Sequence, residues 1–173
     1  MSGRMDDAPV DVTTAAIVDF LRAIGIDVQY AELGEACFLP GVEIREGSLR
    51  VDRTRLRWPG DLLHEAGHLA VLPAELRALQ SGDLHGSELV PHAGEAEAIA
   101  WAYAACQAMR LPIELLFHEG GYHGQGAALA MTFSLGVYPG LHGLMQTGMA
   151  DGLAQARERG SEPFPQMKRW LRP

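Results

Sequence analysis

The spacing of apolar positions changes period along the 173-residue chain, and each change marks an element. Over 12–24, Ala16, Ile17, Phe20, Leu21 and Ile24 recur at three- and four-residue intervals. That predicts an amphipathic helix, with Gly25 placed to end it. Further along the period falls to two. Val42 and Ile44 alternate with polar neighbours, Leu49 and Val51 do so again, and Glu46-Gly47 between them is a turn signal, so a β-hairpin is expected. Pro59-Gly60-Asp61 breaks the second strand and offers Asp61 as the N-cap of a short helix over 62–72, which Pro73 stops. Residues 74–80 continue as another helical turn, 81–94 read as a loop, and 95–109 form an alanine-rich helix closed by Leu111-Pro112.

The stretch 120–150 departs from this pattern. Its 31 residues include no Asp, Glu, Lys or Arg, but eight glycines and Pro139. A transmembrane helix needs roughly 20 mainly apolar residues, so the length raises that question. The glycine density, Pro139, His142 and Gln146 favour two buried helices split near 137–140. The order of elements predicts an α+β fold in one domain spanning 1–173, with 1–11 flexible.

Composition narrows the function classes. Apolar residues at 47% and charged residues at 21% fit a folded globular chain. A net charge of −8 lacks the basic footprint of nucleic-acid binders, so no direct nucleic-acid partner is expected. Cys37 and Cys106 stand alone, with no CxxC pair for a thiolate zinc site. The opening MSGRMDDAPV carries acids where a signal peptide carries an apolar core, which predicts a cytoplasmic protein without membrane attachment. Thirteen arginines against one lysine (Lys168) fit a GC-rich bacterial genome.

Candidate chemistry concentrates in LLHEAGHLAV, 62–71. A helix turns about 100° per residue, so His64 and His68 project from one face, one turn apart. Two neutral imidazoles so placed can both reach one Zn²⁺ ion, and Glu65, adjacent to the first of them, can reach a water at that ion as general base. Ala66 and Gly67 keep the helix thin for close packing, while Leu62, Leu63, Leu69 and Leu72 would anchor it. Two buried histidines bonded to backbone carbonyls would leave the same letters, so the reading depends on a third ligand.

The extended HExxHxxGxxH pattern is excluded, because Val71 and Ala74 occupy its last two positions. A glutamate from the following helix is the other common solution. Glu95 and Glu97 lie two apart, about 200° around that helix, so only one can face the metal. Glu95 shares its face with Ile99, Ala102 and Cys106, and the wheel favours it. Glu97 is a solvated charge or a partner of a ligating imidazole. Asp83, His85 and His92 in the loop are weaker candidates.

At this point the chain resembles the ImmA/IrrE-type, gluzincin-like metallopeptidases over about residues 12–112. The resemblance rests on the hairpin from Gly41 to Asp52, on HEAGH, and on Glu95-Ala96-Glu97-Ala98-Ile99-Ala100-Trp101-Ala102 followed by Leu111-Pro112. It implies a zincin-like fold: N-terminal helix, small twisted antiparallel or mixed sheet, HExxH helix, glutamate helix and a mostly helical C-terminal third. It also implies one Zn²⁺ per chain on His64, His68 and Glu95, with Glu65 as the base, and a peptide or protein substrate such as a transcriptional regulator. Ile99 departs from the family's Asn or Asp, a polar group well placed to orient a ligating histidine. WPGDLL departs from its aromatic-Thr-Leu-Ala, and 113–173 lie outside the resemblance.

Two further stretches offer chemistry. HEGGYHGQG, 118–126, brings His118, Tyr122 and His123 as donors to a developing oxyanion or as partners to the ligands, unless it is only a flexible connector. In RVDRTRLRW, strand alternation would put Arg53, Arg55 and Arg57 on one side, where a peptide could add to the edge. The expected function is zinc-dependent peptide-bond hydrolysis. The alternatives are a metal-binding regulatory protein of the same fold that has lost turnover, and a membrane-embedded protease resting on the uncharged run.

Overall fold

The computed structural model describes residues 11–35, 37–81 and 94–173. Helix α1 (Val12–Ala23) starts where Asp11 accepts hydrogen bonds from the backbone N–H groups of Thr13 and Thr14, each at 3.2 Å. It buries Thr14, Ile17, Val18 and Leu21. Gly25, at φ +98°, takes the chain out of it as the sequence predicts. The flexible segment expected at 1–11 lies outside the described residues, apart from Asp11.

Strands β1 (Val28–Tyr30), β2 (Val42–Arg45) and β3 (Ser48–Val51) form a sheet of order β1-β3-β2. The hairpin forms as expected, with Val42 opposite Val51 and Ile44 opposite Leu49. Glu46 and Gly47 both take positive φ, +50° and +74°, the two-residue turn whose twist matches antiparallel strands. β1 joins the other edge of β3 in parallel, making the sheet mixed. With three residues, it was too short to show a period. Val42, Ile44, Leu49 and Val51 turn one face of the sheet into the core.

The helix carrying the His-Glu-x-x-His pattern, α2 (Gly60–Ala70), runs through the middle of that core, against the sheet, α1, α4 (Glu95–Ala108) and α5 (Ile113–Leu116). All eleven of its residues are buried. Asp61 is not its N-cap: Pro59 holds that position and Asp61 is in the first turn, its carboxylate engaged elsewhere. A Cβ on Gly67 would lie 2.5 Å from the Ala98 carbonyl oxygen, so α4 sits directly on the α2 backbone at a residue without a side chain.

The far end of α2 is capped from two distant places. Arg77, closing α3 (Ala74–Arg77), donates to the carbonyls of Leu69 and Leu72. Arg172 donates its backbone N–H to Ala70 and its guanidinium to Val71. Two cations thus satisfy the carbonyls that a helix C-terminus leaves without intrahelical partners, at its negative end. Trp170 brings the tail there. Its ring packs edge-on to Phe20 and Trp101, and its carbonyl accepts from Trp101 Nε1 at 2.8 Å.

The C-terminal third is helical in part, with α6 (Gly126–Ser134), α7 (Leu141–Gln146) and α8 (Leu153–Arg159). The expected split of the uncharged run falls between α6 and α7, but neither is a buried helix. α6 buries only Gly126 and Phe133, α7 buries only Leu144, and Met131 and Leu135 are 66% and 70% exposed. Absence of charge permits burial without supplying a partner to be buried against. Among the described residues no helix is long and apolar enough to cross a membrane.

Candidate metal centre

α2 and α4 cross where Gly67 meets Ala98, and this brings the start of α4 over the histidine face of α2. Glu95 opens α4, so its side chain reaches back past the helix end. The Nε2 atoms of His64 and His68 lie 3.2 Å apart. Glu95 spans them, with Oε1 3.5 Å from His64 Nε2 and Oε2 3.1 Å from His68 Nε2. Taking one donor atom from each residue, all three lie within 4.8 Å of one another.

Those distances are a test of fit. Tetrahedral coordination at 2.0–2.1 Å separates neighbouring donors by about 3.3 Å, and the imidazole pair and each nearest carboxylate contact, at 3.1 to 3.5 Å, lie on either side of that value. Two imidazoles and a carboxylate suit Zn²⁺ and its first-row neighbours rather than the all-oxygen shells of Ca²⁺ and Mg²⁺. The group could hold a metal ion. His64 and His68 are buried while the Glu95 side chain is half exposed, so the cluster opens on one side. Glu65, next to His64, is buried with it.

The other sequence candidates separate. Glu97 turns away from the cluster and packs under α7, where a Cβ on Gly143 would come 2.2 Å from its Oε1. His123 is exposed. His118 is buried and bonds Asp61 through Nε2, at 2.8 Å from Oδ1, and so is not aimed at the cluster as a free donor. Tyr122 does reach it: Oη lies 3.4 Å from His64 Nδ1, with the rings edge-on at 5.3 Å. Burial pushes the Tyr122 phenol far above its ordinary range, and the carboxylates of Asp61, Glu95 and Glu65 add to the rise. Asp83, His85 and His92 lie outside the described residues.

The pairing of Asp61 with His118 was not foreseen. Burial pushes the Asp61 carboxyl upward; the bond to His118 opposes that rise, and the Glu65 charge reinforces it. Trp58 stacks on the His118 ring at 4.5 Å and 9°. The signal in the sequence was WPGD itself, an acid at the opening of an apolar helix. Ile99, four residues after Glu95, is apolar and 9% exposed, so that position offers no polar group to a ligating histidine.

The arginine face is corrected. β3 ends at Val51, because Asp52 accepts from the Thr54 N–H and hydroxyl, at 2.9 and 2.6 Å, and turns the chain. Arg53 then lies over the Tyr30 ring, Arg57 over Trp58, and Arg55 beside Glu35 and Asp52, so the three share no strand face. An open pocket of about 540 Å³ lies there, lined by Tyr30, Glu32, Asp52, Arg53 and Arg55, and includes none of the three clustered residues. Compared with known proteins, the chain matches no family model, no curated protein and no solved structure.

Proposed function

We propose that the chain is a zinc-dependent peptide hydrolase of the ImmA/IrrE type, acting on a peptide or protein such as a transcriptional regulator. The observation that carries the reading is the convergence of His64, His68 and Glu95 on one point from two helices, beside a buried glutamate. His64 and His68 would hold Zn²⁺ through Nε2 and Glu95 through its carboxylate. A zinc ion so bound supplies Lewis acidity, polarising a carbonyl and lowering the pKa of a water. Glu65 takes the proton from the attacking water on a carboxylate oxygen and returns it to the leaving amine, so that water and the amide yield an acid and an amine. Burial of α2 holds these side chains in fixed directions before substrate arrives.

Ile99 favours a second reading, a regulatory protein of the same fold that keeps the metal and has lost turnover. One set of proteins separates the two. Elemental analysis of wild type should give about one zinc per chain, and Glu95→Ala should lose most of it. Glu65→Gln should keep the zinc and lose hydrolysis of an unstructured protein substrate by about 10²–10⁴-fold. Zinc retained by a wild type with no hydrolysis would favour the regulator. A folded wild type that takes up no zinc would falsify both.

A further inference from the structure

The segment 118–122, HEGGY, touches α2 at two points one turn apart. His118 bonds Asp61, and Tyr122 meets His64. Between them two glycines let the chain lie flat. A Cβ on Gly120 would come 2.5 Å from Trp58 Nε1, and one on Gly121 would come 3.0 Å from His118 Cε1. The His118 ring is thus stacked on Trp58 and lies close against the Gly121 backbone. Tyr122 and His123 then both take left-handed backbone conformations, φ +54° and +51°, which non-glycine residues keep only where their surroundings impose them. Phe117 also packs against the Tyr122 ring, at 5.3 Å. This is a strap fastened at both ends, not a flexible connector.

We propose that Tyr122 is a positioning residue for the His64 imidazole, and that the His118–Asp61 bond, with Trp58 stacked behind it, is the latch that keeps Tyr122 in place. The proposal rests on the metal-site reading above. His64 turns Nε2 toward His68 and Glu95. A ring that binds a cation through Nε2 carries its proton on Nδ1, and Nδ1–H then donates to Tyr122 Oη. The hydroxyl accepts from that N–H and fixes the ring plane. The polar group that Ile99 lacks on α4 is therefore delivered from a segment beyond it in sequence. The Asp61–His118 bond ties the strap to the first turn of α2 and includes none of the three clustered residues, so its loss should act on the metal through Tyr122.

The test is Zn²⁺ affinity by chelator competition on the full chain, with the Co²⁺ absorption spectrum and the ¹⁵N shifts of the His64 ring as further readouts. Tyr122→Phe keeps the ring contacts and removes only the hydroxyl. It should weaken Zn²⁺ binding about 10–100-fold and shift the Co²⁺ bands, while the metal-free protein melts as wild type does. His118→Phe keeps the stack on Trp58 and breaks the bond to Asp61; a smaller loss in the same direction is expected. In zinc-loaded wild type the His64 proton should sit on Nδ1, a readout that needs no variant to fold. Unchanged affinity and spectrum in Tyr122→Phe overturns the proposal and leaves the metal site standing, whereas a His64 proton on Nε2 overturns both the proposal and the Nε2 ligation it rests on. A folded wild type that takes up neither Zn²⁺ nor Co²⁺ removes the metal-site reading, and the proposal with it.

Discussion

Helices α2 and α6 reverse what their compositions suggest. α2 carries Asp61, Glu65 and two histidines and buries every residue, whereas α6 has no charged residue and buries only two. Hydrophobicity alone would place them the other way round. α2 lies inside because Leu62, Leu63 and Leu69 anchor it between the sheet and α4, and its polar residues are carried in with them. Exposed apolar side chains such as Met131 and Leu135 are common on protein surfaces, and buried charges are not. Of the two helices, the one that runs against its composition on the inside is the one that carries His64 and His68 of the group that could hold a metal ion.

The contrast can be broken first by trimming each helix. Leu69→Ala removes a side chain with no exposure and should cost about 2–5 kcal/mol of unfolding free energy. Met131→Ala on α6 should stay within about 0.5 kcal/mol, and paired denaturant titrations compare them directly. A large loss at Met131 would mean that α6 is covered in solution.

A smaller effect tests why α2 can lie so close to α4. Gly67→Ala would put a methyl group 2.5 Å from the Ala98 carbonyl, against the usual benefit of alanine inside a helix. Overpacking should win, with a loss of about 1–3 kcal/mol and weaker zinc uptake as Glu95 is pushed from the histidines. A stabilised Gly67→Ala would show that the two helices are not in contact there.

The most gradual effect lies in alkaline solution. Burial pushes the Cys106 thiol on α4 from 9.0 up to about 11. Between those values the unfolded chain has lost a proton that the folded chain keeps, so stability falls as pH rises, by at most about 1.4 kcal/mol per pH unit. Burial raises Tyr103 as well, with the same sign. Melting temperatures from pH 8 to 11 should therefore decline less steeply in Cys106→Ala than in wild type. An identical slope would place the ionisation elsewhere.

How much was legible in the sequence follows the range of the interactions. α1, the hairpin, α2 and α4 depend on spacing within about fifteen residues, and Ala16 to Ile24, Val42 to Val51 and Glu95 to Cys106 display that spacing directly. That His64 and His68 share one face of α2 was legible for the same reason, because helical geometry fixes which side chains project together, whereas Glu95 joins them only through the packing of α4 on α2. β1 was not, since three residues show no period and its parallel partner lies twenty-one positions away. The Asp61–His118 pair was not either, because 57 residues separate the two.

The sequence by itself determined which stretches form α1, the hairpin, α2 and α4, and which face of α2 carries the two histidines. Tertiary structure decided the rest: that α4 meets α2 at Gly67, that Arg77 and Arg172 close the end of α2, and that a strap from beyond α5 sets Tyr122 on His64. Local periodicity encodes direction around an axis. Which distant surface fills the space beside that axis is settled only when the whole core closes and each buried polar group must find a partner.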